Sequence, residues 1–214
     1  MNRFYVPREN IGAEVIRITD ADDVRHFRKV LRIEKGEDVF ISDGEGGGYV
    51  AAFEQEKKGE VLLVIRRREP VLFRRDRPLA ITLACAVPKR SHFDEIVDKG
   101  TQLGVDTIVP LVTKRSLVSL EECRKKADRW QRVCVAAAKQ SGVLFLPQLK
   151  APVMFEDLLK DAQRYDLKIL PNLSQQSLSL SQAAASCRGS RILVMIGPEG
   201  DFSADETRAA LASG

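Results

Sequence analysis

The chain has no apolar run approaching the roughly 20 residues that a membrane-crossing helix requires. Its first residues, Met1-Asn-Arg-Phe-Tyr-Val-Pro7, contain no apolar signal core. A soluble, cytoplasmic protein with no membrane partner is expected. Cysteine is scarce. Cys85, Cys123, Cys134 and Cys187 form no C-x-x-C pair, so zinc-ribbon and thioredoxin-type chemistry has no support. Cys85 falls in a strand pattern and Cys134 in a helix pattern, as expected of buried free thiols. Histidine is scarcer, only His26 and His92, and neither sits in a metal or triad motif. No metal is expected. G-x-G-x-x-G and G-x-x-x-x-G-K-[ST] are also missing, which disfavours NAD and ATP enzymes of those types. Internal repeats and low-complexity tracts are absent.

What is present is a globular composition. The 214 residues are 44% hydrophobic and 30% charged, enough for one large domain or two small ones. The net charge of +4 is unevenly placed. Arg66, Arg67, Arg68, Arg74, Arg75 and Arg77 crowd one segment, offset only by Glu69 and Asp76. Arg25, Arg28, Lys29, Arg32 and Lys35 form a second basic group. Clustered cations are the footprint expected for a phosphate backbone. A solvated linker and a solvated helix face are the competing reading.

Two patterns divide the chain. Residues 1–70 read as short strands, Ala13 to Ile18, Val39 to Ser42, Tyr49 to Phe53 and Val61 to Ile65. A helix over Asp22 to Leu31 lies among them, and Asp43-Gly-Glu-Gly-Gly-Gly48 reads as a turn. A compact barrel-like module is expected there. The charged segment Arg66 to Pro78 is the linker candidate, with the boundary drawn at 71–78. From 79 onwards strands and helices alternate, which predicts a parallel α/β sheet. Strands are expected at Leu79 to Val87, Thr107 to Val112, Asp166 to Leu170 and Arg191 to Ile196. Helices are expected after Ser91, from Ser119 past Trp130 towards Ala138, from Phe155 to Ala162 and from Leu178 to Ala185. Ser91 with Asp94, and Ser119 with Glu122, have capping-box spacing.

The most informative stretch is Arg191-Ile-Leu-Val-Met-Ile-Gly-Pro-Glu-Gly-Asp-Phe-Ser-Ala-Asp-Glu206. It reads strand, tight glycine loop, then helix start, with Ser203 and Glu206 as another capping box. In α/β sheets this junction lies at the carboxyl edge, where ligands bind. That edge would gather Lys89, Arg90, Lys114, Arg115 and Glu199 from successive strand ends. Positive charge beside a glycine loop suits a phosphate-rich or RNA substrate. Ordinary surface loops are the bland alternative.

These residues resemble the ribosomal RNA small subunit methyltransferase E family, the 16S rRNA uracil-N3 methyltransferases of the SPOUT superfamily. The resemblance runs through His26-Phe-Arg-Lys-Val-Leu-Arg32, Asp43-Gly44 with Tyr49, and Lys99-Gly-Thr-Gln-Leu-Gly-Val105. It continues through Arg115-Ser116, Trp130, Ala137-Ala-Lys-Gln-Ser-Gly142 with Pro147, and Ile196-Gly-Pro-Glu-Gly200 with Ser203 and Glu206. Each piece is short; their order and spacing together are specific.

The resemblance implies an N-terminal PUA-like RNA-binding barrel and a C-terminal SPOUT-type α/β domain with a trefoil knot. It implies S-adenosylmethionine as cofactor, a homodimer, and a uridine of 16S rRNA as substrate, presented on the small ribosomal subunit. Leu170, Pro171, Ile196, Gly197, Pro198, Glu199 and Gly200 would contact the cofactor. Arg25, Arg28, Lys29, Arg32, Arg66, Arg67, Arg74 and Arg75 would grip RNA. Arg115 or Lys89 would stabilise charge developing on the uracil. Glu199 would act as base or orient the loop, its bland role being to accept backbone N–H groups within the turn. A non-catalytic RNA-binding or ribosome-assembly factor is the alternative.

Departures from the family pattern are Gln102 and Lys139 in place of Glu, Val143 in place of Arg, and Asp201 in place of a third glycine. The first three are expected to mark joint loss of one ion-pair network. The family also continues beyond the position of Gly214 with a segment that threads the knot and completes the cofactor pocket. On that resemblance, the chain to Gly214 is expected to bind cofactor poorly.

Overall fold

The computed structural model describes residues 1–57, 59–69, 79–90, 92–172, 177–187 and 189–213. The linker candidate 71–78 and Ser91 lie outside the described residues. The chain forms two compact units. One comprises Met1–Asp76 with Ala138–Leu146, and the other Arg77–Ala137 with Pro147–Gly214.

The first unit is a curled five-stranded sheet. Its strands are β1 (Arg3–Tyr5), β2 (Val15–Ile18), β3 (Asp38–Ser42), β4 (Gly48–Lys57) and β5 (Glu60–Arg68). They are ordered β1-β3-β4-β5-β2, with β1 parallel to β3 and every other pair antiparallel. Register shifts between Val50 and Ala51 and between Phe53 and Gln55 mark irregularities of the kind that bend a sheet. Phe4, Phe27 and Phe53 pack centrally, with ring centroids 5.4 Å and 5.1 Å apart along the series.

The helix expected over 22–31 begins as α1 (Ala21–Arg25), capped by the Asp20 side chain. It then widens into a π-helical turn, His26–Val30. The combined segment buries Val24 and Phe27 against the sheet and ends at Arg32, whose φ is 52°. The β3–β4 turn is organised by Asp43, which is buried. It accepts from the Glu45 and Gly47 amides at 2.9 and 2.8 Å and from the Tyr49 hydroxyl at 3.2 Å. Residues 142–146 pair with this turn through Gly46 N–H to Leu144 O and Leu146 N–H to Gly44 O, which is why they belong to this unit.

The second unit carries β6 (Ala80–Ala86), α2 (His92–Gln102), β7 (Thr107–Val112), α3 (Leu120–Lys125) and α4 (Ala127–Ser141). These are followed by β8 (Gln148–Leu149), β9 (Val153–Met154), α5 (Phe155–Lys160), β10 (Leu167–Ile169), α6 (Leu180–Ser186), β11 (Arg191–Ile196) and α7 (Ala204–Ala212). The last turn of α4 counts with the first unit. The sheet runs β10-β11-β6-β7-β8, with β9 also on β7, and every pairing is parallel. Ala84, Leu111 and Leu193 are fully buried, as strands covered on both faces require. Trp130 lies 4.5 Å from Phe93, centroid to centroid, and is core, as its helical spacing suggested.

One expectation is corrected. The helix drawn from Ser119 to Ala138 breaks at Lys126 into α3 and α4. Of Gln102, Lys139 and Val143, which depart from the family pattern, two have side-chain partners within their own units. Gln102 donates to Asp98 within α2, whereas Lys139 pairs with Asp23 at 2.5 Å.

Candidate functional site

Because β10, β11, β6 and β7 are adjacent and parallel, their carboxyl ends share one edge. Along it lie Leu170-Pro171-Asn172, Gly197-Pro198-Glu199-Gly200, Pro88-Lys89-Arg90 and Thr113-Lys114-Arg115-Ser116. The sheet therefore gathers the residues that the sequence placed at strand ends. Leu170, Ile196, Gly197 and Pro198 are half-buried, while Pro171, Glu199 and Gly200 are exposed.

The glycine loop is held from within. Asp201 adopts φ 59°, donates its amide to Pro198 O at 2.8 Å, and accepts the Phe202 amide at 2.7 Å. A Cβ at Gly197 would lie 3.1 Å from the Phe202 ring, so a side chain there would crowd it. Phe202 is itself buried against Phe155. The amide N–H groups of Gly197, Glu199 and Gly200 have no partner among the described residues. Glu199 also has none, so it does not cap its own turn as expected. Asp201 supplies a carboxylate cap there instead.

The loop after β7 is tied to this one. The Arg115 guanidinium donates to Gly200 O and, at 3.4 Å, to Phe202 O. The Lys114 amide donates to Glu206 Oε1 at 2.8 Å, and Ser203 N–H donates to Glu206 Oε2 at 2.8 Å. Glu206 is only 2% exposed. Burial alone would raise its pKa, but hydrogen bonds from the Lys114 and Ser203 backbones outweigh it and hold the carboxyl below its ordinary value. The capping-box spacing identified Glu206 as a helix cap; its reach to Lys114 has no local signature. Lys89 and Arg90 are exposed at the same edge and unpaired among the described residues, and Arg90 has φ 62°. Cys85, near the end of β6, is buried and its thiol is pushed up to about 12 by desolvation.

In the first unit, four of the six expected RNA-gripping cations that the structure describes are paired on the surface. Arg25 pairs with Asp22 at 2.8 Å, Arg28 with Glu56 at 2.6 Å, Arg66 with Asp38 at 3.2 Å and Arg67 with Glu69 at 2.7 Å. Lys29 and Arg32 have no partner among the described residues. Exposed pairs contribute about 0–1 kcal/mol, so phosphate can displace them cheaply. Arg74 and Arg75 lie outside the described residues.

A PUA-type sheet module and a parallel α/β unit with a glycine loop at its carboxyl edge define a class, the SPOUT-type RNA methyltransferases with a PUA domain. Residues 75–214 match the RNA methyltransferase domain family and residues 18–66 the RNA methyltransferase PUA domain family. The chain belongs to the ribosomal RNA small subunit methyltransferase E family. The enzyme of that name from Synechocystis is 32% identical over 215 residues, covering 99% of this chain and 68% of its own length. That from Aquifex aeolicus is 32% identical over 210 residues, covering 97% and 86%. A Legionella pneumophila methyltransferase solved with bound cofactor SAM superposes with a TM-score of 0.85 at 29% identity, covering 99% of this chain and 86% of that one. The Neisseria gonorrhoeae ribosomal RNA small subunit methyltransferase E, solved with S-adenosyl methionine, gives 0.84 at 26% identity, covering 100% and 86%.

Proposed function

We propose that the chain methylates N3 of a specific uridine in 16S rRNA of the small ribosomal subunit, using S-adenosylmethionine and acting as a cytoplasmic homodimer. One observation carries the reading. A glycine loop with three amides unpartnered among the described residues lies at the sheet edge that also bears Lys89 and Arg90, unpaired among the same residues. That loop fits the cofactor chemically, since free backbone donors beside the half-buried Leu170 and Ile196 suit a polar, adenine-bearing ligand. Leu170, Pro171, Ile196, Gly197, Pro198, Glu199 and Gly200 would hold it. When bound, S-adenosylmethionine supplies an electrophilic methyl group.

The chain's own residues position and stabilise. Uracil N3 carries a weakly acidic proton that must leave, and negative charge then develops towards O2 and O4. A cation near those oxygens lowers the barrier. Lys89, unpaired among the described residues, supplies that charge; Arg115, engaged with Gly200 O and Phe202 O, keeps the cofactor loop in place and presents positive charge beside it. Glu199, exposed at the loop tip and without a partner among the described residues, accepts the departing proton or orients the loop. Lys29 and Arg32, with Arg25, Arg28, Arg66, Arg67, Arg74 and Arg75, grip phosphates, and the target base is unstacked to reach the edge.

The test is primer extension on 16S rRNA from cells lacking the gene. An N3-methyl blocks Watson–Crick pairing and halts reverse transcriptase. The stop should vanish on deletion and return on complementation. A stop that persists without the gene refutes the assignment.

A further inference from the structure

We infer that Glu206 is a positioning residue for cofactor binding, because its buried carboxylate ties the Lys114–Arg115 loop to the glycine loop. This rests on the proposal that the glycine loop holds S-adenosylmethionine.

Among the described residues three helices begin with a capping box, which separates capping from any additional role. In α3 the Glu122 carboxylate returns only to Ser119, at 2.8 Å from its amide and its hydroxyl. In α6 the Gln182 amide oxygen returns only to Ser179, at 2.9 Å from both groups. Both box side chains are exposed. Capping therefore requires neither burial nor a distant partner.

Glu206 has both. It is 2% exposed and spends only one oxygen on its own cap, at Ser203 N–H. The other oxygen accepts the Lys114 amide across 92 residues of sequence. Burying a carboxylate is costly unless its oxygens are satisfied, and here two backbone donors do so. The next residue, Arg115, donates to Gly200 O and Phe202 O. The contacts thus close a ring: Glu206 to Lys114, along the chain to Arg115, across to Gly200, and back through Phe202 and Ser203. The glycine loop is held on one side by the Asp201 turn and on the other by this ring. Losing the Glu206 carboxylate leaves the Lys114 amide without its acceptor and lets Arg115 move away from Gly200 O.

The experiment compares S-adenosylmethionine affinity, by calorimetric titration, in the chain extended by the family's C-terminal segment, taken as the unmodified chain, and in its Glu206→Gln and Glu122→Gln variants. Titrations are run well below each variant's unfolding temperature. Gln keeps the shape of Glu but turns an N–H towards one of the two amide donors. Glu206→Gln should weaken binding by about tenfold or more, the scale of a small misplacement in a built site. Glu122→Gln, which disturbs an equivalent cap elsewhere, should bind like the unmodified chain. A merely structural role would lower the melting temperature of both variants and leave affinity unchanged. Equal affinity for Glu206→Gln and the unmodified chain overturns this inference alone. No binding by the unmodified chain overturns the cofactor reading and this inference with it. If Glu206→Gln does not fold, amide hydrogen exchange in the unmodified chain decides. Added cofactor should slow exchange at Lys114 and Ser203, and unchanged exchange there overturns the inference.

Discussion

Asp201, expected from the resemblance to stand in place of a glycine, has a backbone conformation that glycine suits. Its φ of 59° lies in the left-handed region, which costs an L-residue roughly 1–2 kcal/mol. The Asp side chain offsets part of that by accepting the Phe202 amide at 2.7 Å, a bond contributing about 1 kcal/mol. The two contributions can be separated by substitution. Asp201→Ala keeps the unfavourable φ and loses the bond, so it should destabilise by about 1–2 kcal/mol. Asp201→Gly also loses the bond but relieves the strain. Its more flexible unfolded chain costs about 0.4–1 kcal/mol, so its stability should fall close to the parent's. The Ala variant should therefore be about 1 kcal/mol less stable than the Gly variant. With a urea dependence of about 2 kcal/mol per molar, their midpoints should differ by roughly 0.5 M. Fluorescence of Trp130 is a suitable assay, since it is the only tryptophan and is 1% exposed in the core of the same unit. Coincident Ala and Gly midpoints would refute the strain account of this position.

Other outcomes follow from the same geometry. Glu206 has a depressed folded pKa, so its stabilising contribution is complete above the ordinary glutamate pKa of roughly 4.3 and is lost as pH falls through the folded value. Lys114 and Asp205 are the charged neighbours. Urea midpoints measured from pH 7 to pH 3 should drop more steeply for the parent than for Glu206→Gln, and parallel curves would exclude this role. Lys29→Ala and Arg32→Ala should each lower the salt dependence of rRNA binding, by about 0.7 in the slope of log K against log salt for a single-stranded contact. An unchanged slope would remove that residue from the phosphate-gripping set. Cys85, Cys123 and Cys134 are buried and Cys187 is half-exposed. Mass spectrometry after brief alkylation of the native protein should find Cys187 modified first, and early labelling of Cys85 would contradict its burial.

Much of the fold was legible because it is written in local periodicity. The strands 107–112 and 191–196 have the ends that their apolar runs and flanking turns suggested. Ser119 and Ser203 cap helices as their spacing with Glu122 and Glu206 required. What stayed hidden depends on distant partners. Arg3-Phe-Tyr5 is too short to show alternation and becomes a strand by lying parallel to β3. Gln148–Leu149 and Val153–Met154 are strands only because β7 offers them an edge. Residues 138–146, the last turn of α4 and the segment after it, belong with the first unit, through hydrogen bonds to the turn at 43–47 that no local pattern encodes.

The same division runs through the site. By itself the amino-acid sequence determined that a strand ends in Gly197-Pro198-Glu199-Gly200, that a capped helix follows, and that basic residues sit at neighbouring strand ends. Glycine, proline and capping side chains act over a few residues, so their consequences can be read along the chain. Only the tertiary structure decided which of those strand ends are neighbours, that Arg115 donates to Gly200 O, and that Glu206 satisfies an amide 92 residues away. Those outcomes follow from the order of strands in a sheet and from the cost of burying an unsatisfied carboxylate, and both are set by partners distant in sequence.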